Sequence, residues 1–263
     1  MAIQWFPGHM NSTRRLIEER VKDIDVVIEV LDARIPGSSF NPLLQQLTGH
    51  KPRMKLLNKQ DVADPVKTQL WLDWYNAQPG TRAIAMDAEE IAPARRLVDA
   101  CRQLAPNRGG MAKPMRVLIC GVPNVGKSTL INTMSGKKQA KAADEAGVTK
   151  DEQRIVLDHD FYLWDTPGML WPRISIEQSG FNLAASGSIG RKRGCVMSGG
   201  RVNTQKAAEV VITDYRTHML GRITLETPEE FEQWAAAAAI ADAERAAKKE
   251  AIAAAKKKGV KRW

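Results

Sequence analysis

The stretch GVPNVGKST, residues 121–129, follows the apolar run RVLIC (116–120) and leads into STLINTMSG (128–136). In the latter, Leu130, Ile131 and Met134 recur at helical spacing. Strand, glycine loop and helix in that order form the context a phosphate-binding loop requires. Gly121 and Gly126 let backbone N–H groups curl around phosphate oxygens, and the helix that follows presents its positive end to them. Residues Asn124, Val125, Gly126, Lys127, Ser128 and Thr129 are the expected nucleotide contacts. Lys127 would neutralise the β- and γ-phosphates, and the Ser128 hydroxyl would ligate Mg²⁺.

Two further stretches complete a nucleotide site. In FYLWDTPGM (161–169), Asp165 ends an apolar strand, where a carboxylate can hold Mg²⁺ directly or through water. Gly168 offers a backbone N–H to the γ-phosphate in a loop able to flip when that phosphate leaves. Between the two motifs, EAGVTKD (145–151) supplies Thr149, placed to cap Mg²⁺ from a switch loop.

LLNKQD (56–61) carries the base-reading residues Asn58, Lys59, Gln60 and Asp61. Asp61 would accept hydrogen bonds from guanine N1–H and the 2-amino group, a pairing adenine cannot offer. Asn58 would support the base edge, and the Lys59 stem would cover the ring. A buried carboxylate left unpaired costs enough to select the base. The next apolar run, TRAIAM (81–86), ends at Met86-Asp87, where another loop would touch the base through backbone groups.

The base loop therefore precedes the phosphate loop, the reverse of the usual threading. An open parallel sheet tolerates this, because its ligand loops emerge at the carboxyl edge whatever their order in the chain. Old termini joined through APNRGGMAKPM (105–115) would preserve the pocket, since permutation is tolerated at surface sites.

Organisation along the chain agrees. Buried-strand runs at 25–32, 53–58, 81–86, 116–121, 153–157 and 161–165 alternate with amphipathic stretches at roughly 12–22, 41–49, 64–77, 90–104 and 127–136. That pattern predicts an α/β fold with a doubly wound, mostly parallel sheet. After residue 174 the strand signal fades, and helical patterns follow at 203–219 and 228–256. The expected organisation is a nucleotide-binding domain over 1–174, with its linker at about 105–115, and a small helical C-terminal domain over 175–263.

Composition bounds the rest. The 263 residues are 43% hydrophobic, enough for a substantial core. The opening MAIQWFPGHM lacks a secretory pattern, and no apolar run reaches the roughly 18 residues of a membrane helix. Cys101, Cys120 and Cys195 form no C-x-x-C, so a cytoplasmic location without disulfides is expected. Of the net charge of +9, residues 241–263 contribute eight basic against three acidic side chains, a net +5. A second basic stretch runs from Arg191 to Lys206. Two basic stretches in one third of the chain favour a polyanion-binding surface over a solvated helix end.

WFPGHM (5–10), DARIP (32–36), NKQD, GVPNVGKS, GVT, DTPG and AAEVVITDYRTHMLGRITLE (207–226) occur in an order that resembles the circularly permuted GTPases of the ribosome biogenesis GTPase A family. The resemblance covers nearly the whole chain. It implies a GTPase that binds GTP and GDP and acts late in assembly of the large ribosomal subunit. It also implies an RNA-binding helical C-terminal domain, rRNA or a subunit precursor as partner, and a monomer off the ribosome. By the same resemblance, Asn124 matches a position linked to potassium coordination. Departures fall at AMDAE (85–89) and SIGRKRGCVMSGG (188–200).

Met169 stands where many GTPases place a water-orienting Gln, and a thioether cannot orient water. His9 is the expected substitute, because imidazole can hydrogen-bond or deprotonate water near neutral pH. Asp32 and Arg34 should reach the same edge, with no role that the sequence assigns. The alternative reading is an RNA-binding protein whose GTP pocket is structural or regulatory, with little turnover.

Overall fold

The computed structural model describes residues 9–136, 153–188 and 204–260. Thr149, the expected switch-loop residue, lies outside them, as does most of the basic stretch from Arg191. His9 begins α1 (His9–Arg20), but its side chain also lies outside the described residues.

Among the described residues, six strands form one sheet in the order β3-β2-β1-β4-β6-β5. β1 (Val26–Asp32), β2 (Arg53–Asn58), β3 (Thr81–Met86), β4 (Met115–Cys120) and β6 (Phe161–Asp165) run parallel, and β5 (Gln153–Asp158) is antiparallel at the edge. All seven residues of β1 are buried, as a central parallel strand covered on both faces requires. Val30 and Leu56 belong to one large apolar core. Leu31 and Leu57 belong to a second, with Trp71 and Tyr75. Glu29 and Lys55, charged residues in the middle of β1 and β2, stand opposite each other in register and form a buried ion pair.

The helices start where local chemistry permits. Asn41 caps α2 (Pro42–Thr48) by accepting from Leu43 N and Leu44 N, and Asp64 caps α3 (Pro65–Asn76) by accepting from Val66 N and Lys67 N. Both helices have proline at the first position, where a missing N–H costs nothing. After β3 the chain forms α4 (Ile91–Leu104) and crosses to β4 on the far side of β1 and β2. The crossing loop is fastened at the strands' amino ends. Arg108 pairs with Asp25 at 2.9 Å, and Gly110 N donates to Asp160 Oδ2 at 2.8 Å. It therefore lies at the sheet edge opposite the loops that follow the parallel strands, and leaves those loops free.

α5 (Lys127–Ser135) follows β4. Beyond β6 come α6 (Glu177–Ser186), α7 (Thr204–Arg216) and the long α8 (Pro228–Val260). The α6 helix was not expected. Its inward face is Ser179, Gly180, Asn182, Leu183 and Ser186, so it lacks the apolar periodicity that reveals a helix in sequence. Buried Glu226 holds it instead, accepting from Asn182 Nδ2 at 2.9 Å and from the Ser38 backbone N–H at 2.6 Å. Among the described residues, no helix is long and apolar enough to cross a membrane.

Residues 222–227 cross the carboxyl side of β1 and β2 as a strap. Ile223 N donates to Val62 O (3.2 Å), and Leu225 N donates to Arg34 O (2.8 Å). Thr224 Oγ1 donates to Ala33 O (3.2 Å) and accepts from Asp64 N (3.0 Å).

Candidate nucleotide-binding site

Because five strands run parallel, the loops after β1, β2, β3, β4 and β6 all emerge at one edge. The order β2-β1-β4-β6 then sets DARIP between the base loop and the phosphate loop, and DTPG on the phosphate loop's other flank. The strand order reverses between the parallel neighbours β1 and β4, and such a point is where open α/β sheets leave a crevice for ligands.

The phosphate loop is a tight cradle. Gly121 (φ +149°), Asn124 (φ +62°) and Gly126 (φ +96°) lie in the left-handed region, and α5 starts directly after Gly126. A Cβ on Gly126 would stand 2.2 Å from Asn58 Nδ2, so only glycine fits between the two loops. Lys127 is buried and donates to Gly121 O (3.2 Å) and Val122 O (3.0 Å) of its own loop. Burial lowers its ammonium pKa, with the nearby Asp165 acting in the opposite sense. Ser128 and Thr129 follow on the first turn of α5, both half-buried.

Asp165 is 1% exposed, and among the described residues neither carboxylate oxygen has a hydrogen-bond partner. Burial pushes its pKa up to about 6, although Lys127 and the Thr166 backbone N–H act to lower it. A buried carboxylate with no partner is costly unless a ligand supplies one. Beside a phosphate cradle the fitting ligand is a hard cation bound through oxygen, so Asp165 and Ser128 suit Mg²⁺. Gly168 lies against the phosphate loop: a Cβ there would meet Pro123 Cα at 2.9 Å. Met169 N donates to Gly121 O (3.2 Å), and Met169 O accepts from Asn41 Nδ2 (2.7 Å). Met169 itself is fully buried.

The base loop is locked to the phosphate loop. Asn58 Nδ2 donates to Val125 O (2.8 Å), and Asn58 Oδ1 accepts from Ala88 N (2.8 Å), so its amide ties three loops together. Lys59 has left-handed φ (+65°) and donates from Nζ to Asn124 O (2.8 Å) and Asp32 Oδ2 (3.1 Å). Gln60 and Asp61 form a short 3₁₀ turn with Val62, and Asp61 is exposed at its surface. Met86 is buried, paired with Asn58 across β2 and β3. Asp87 accepts from Glu89 N on its carboxylate (2.9 Å) and from Glu90 N on its carbonyl (3.2 Å), so both groups serve its own turn. Asn124 Nδ2 donates to Gly187 O (2.8 Å), which joins the phosphate loop to the end of α6.

Sequence reasoning brought Asn58, Lys59, Asn124 to Thr129, Asp165 and Gly168 to the same edge, and the structure assembles them there. It missed Asn41, which caps α2 and anchors the carbonyl after DTPG. The signal available was an N-P dipeptide before an apolar run, which marks a helix start and says nothing of a switch loop 128 residues away.

The arrangement resembles known proteins throughout. A family described as 50S ribosome-binding GTPase matches residues 116–227. The chain is 39% identical over 287 aligned residues to ribosome biogenesis GTPase A of Priestia megaterium, spanning 89% of this chain and 99% of that protein. It is 35% identical over 198 residues to mitochondrial ribosome-associated GTPase 1 of Mus musculus, covering 71% of this chain and 61% of that protein. A crystal structure of GNP-bound YlqF from T. maritima matches with a TM-score of 0.57 and 27% identity, over 83% of this chain and 99% of that one.

Proposed function

The chain belongs to the ribosome biogenesis GTPase A family and is a GTPase, and from that premise we propose that it serves late maturation of the large (50S) ribosomal subunit. In this reading it binds rRNA or the precursor particle and hydrolyses GTP faster when bound. The observation that carries the reading is the meeting of NKQD, GVPNVGKST and DTPG at one sheet edge around a carboxylate without a partner.

Asp61, exposed on its turn, accepts from the guanine edge, and Lys59 lays its stem along the ring while its ammonium stays on Asn124 O. Asn58 contributes by fixing the loops to each other. The backbone N–H groups of 124–129 and the α5 N-terminus hold the phosphates, and Lys127 turns from its own loop carbonyls to the β- and γ-phosphates. Ser128, Thr149 and Asp165 would hold Mg²⁺, which would offset phosphate charge, and Asn124 would be the potassium-linked position. The Gly168 N–H reports the γ-phosphate. Water attacks the γ-phosphorus, the bond to the β–γ bridging oxygen breaks, and His9 orients or deprotonates that water.

A domain boundary near residue 174 fits this division of labour, with the helical residues 175–263 carrying the particle-binding surface. Along α8, Arg245, Lys248 and Lys249 are exposed, as phosphate contacts require. The proposed setting is the cytoplasm, with the protein a monomer off the ribosome. Cosedimentation with 50S particles under GTP, GDP and a non-hydrolysable analogue, alongside GTP turnover with and without particles, tests the proposal. Nucleotide-independent association without stimulated turnover would refute it.

A further inference from the structure

DARIP ends β1, the strand that separates the base-loop strand β2 from the phosphate-loop strand β4. Asp32 stands opposite Asn58 in the β1–β2 register, and its carboxylate is 1% exposed. Four donors converge on it. Arg34 donates from its backbone N–H (3.0 Å) and Nε (2.9 Å) to Oδ1, and from Nη2 to Oδ2 (2.7 Å). Lys59 Nζ donates to Oδ2 at 3.1 Å. That Lys59 ammonium also donates to Asn124 O of the phosphate loop at 2.8 Å. Asp32 thus fixes a side chain that, like Asn58, bridges both nucleotide loops.

Arg34 is buried as well, and its remaining contacts lie in the C-terminal third of the chain. Nη1 donates to Tyr215 O at 3.4 Å, the guanidinium carbon sits 4.9 Å from the Tyr215 ring centroid, and Arg34 O accepts from Leu225 N at 2.8 Å. Tyr215 is 7% exposed, and its hydroxyl has no partner among the described residues. A buried phenol without a hydrogen bond points to a side chain retained for its ring face, the part that covers Arg34.

Resting on the assignment of Asn58, Lys59 and Asp61 as the guanine-reading loop, we infer that Asp32 and Arg34 are positioning residues for guanine-nucleotide binding, and that through them the α7 terminus at Tyr215 is part of the guanine site. An ion pair serving stability alone gains little over well-packed apolar residues. The third partner gives this pair its purpose: without the Asp32 charge, Lys59 loses one of the two contacts that orient its stem. Coupling of this kind is reciprocal, so whatever moves α7 changes nucleotide affinity by the factor with which nucleotide resists that movement.

The test uses the full chain, with Kd for GDP and GTP from fluorescent-nucleotide titration and kcat at saturating GTP. Asp32→Asn should raise both Kd values alike by about 10- to 100-fold, the worth of a charge-assisted contact in a binding site, with kcat nearly unchanged. Tyr215→Leu, which uncovers Arg34 and leaves Asn58, Lys59 and Asp61 unchanged, should raise both Kd values about 3- to 10-fold, a cation–π contribution. Tyr215→Phe keeps the ring and should bind as the parent does. Asp61→Asn is the control for the site itself.

Parent-like Kd in Asp32→Asn and Tyr215→Leu, with Asp61→Asn impaired, would overturn the inference and leave the guanine site standing. A lowered melting temperature with unchanged Kd would do the same, since that is what a merely structural pair produces. If Asp32→Asn fails to fold, the Leu-against-Phe comparison at Tyr215 decides. GTP binding undiminished in Asp61→Asn would remove the site and the inference together.

Discussion

Replacing Asp165 with Asn should make the nucleotide-free protein more stable while destroying its function, and the size of the gain follows from the burial of the carboxylate. Its pKa stands at about 6 against an ordinary 3.8, a difference near two units. At about 1.4 kcal/mol per unit, holding the charge inside the folded protein costs about 3 kcal/mol well above pH 6. An amide removes that charge but keeps two buried polar atoms, and it leaves buried Lys127 without its nearby acid, so a net gain of about 1–2 kcal/mol remains. For a chain of this size that is a rise in Tm of roughly 3–6 °C at pH 8. The sign with pH is fixed. A raised carboxyl pKa means the folded state keeps a proton that the unfolded chain releases between pH 3.8 and about 6. The parent is therefore relatively favoured below that window and loses the advantage as pH rises through it. The Asn variant's gain should be near zero at pH 4 and full above pH 7. Differential scanning calorimetry without nucleotide or Mg²⁺, at several pH values, reads this directly. With Mg²⁺ and GDP the order should invert, because the parent gains binding stabilisation that the variant lacks. A variant less stable than the parent at pH 8, or a gain that does not vary with pH, would refute the account of Asp165 as an unpartnered metal ligand.

Other perturbations probe the remaining parts. Asp61→Asn should exchange guanine for xanthine preference, because the carboxamide complements the xanthine edge; parent-like GTP affinity with no xanthosine triphosphate binding would count against the base-loop assignment. His9→Ala should leave GTP affinity intact and lower hydrolysis by roughly 10²–10⁴-fold on large subunits. A normal single-turnover rate on saturating particles would remove His9 from the chemistry. Deleting residues 241–263 removes a net +5 and should weaken particle binding and flatten its salt dependence, whereas an unchanged slope would identify a solvated helix end.

The sheet and the loops that follow its strands were legible because they are local signals. A run such as VVIEVLD or RVLIC announces a buried strand within its own length, and each motif sits directly after one. Parallel pairing then gathers the loops without further information. Less was legible where polar groups pair across long separations. Asn58 was expected at the base edge; its amide instead joins Val125 and Ala88, partners 67 and 30 residues away. Helix α6 escaped notice because its buried face is Ser, Gly and Asn, satisfied by Glu226 from 44 residues downstream of Asn182. No window of sequence contains both halves of such a contact.

The same limit explains why DARIP had no assignable role. Its residues carry no phosphate or base chemistry of their own, and their partners come from two distant parts of the chain. Lys59 lies downstream in the same half of the sheet, while Tyr215 and Leu225 come from the segment after the last strand. The permuted threading makes this possible. With the base-loop half of the sheet placed first, the chain finishes the phosphate half at β6, and the segment that follows returns across the ends of β1 and β2 as the 222–227 strap. The strap's hydrogen bonds to Ala33, Arg34, Val62 and Asp64 fall on backbone that flanks the base loop on either side. α8 begins at Pro228, directly beyond this strap, and Phe231 in its first turn packs on Trp71 of α3 at 5.9 Å. The strap and Phe231 therefore place the start of α8 against the base-loop half of the sheet.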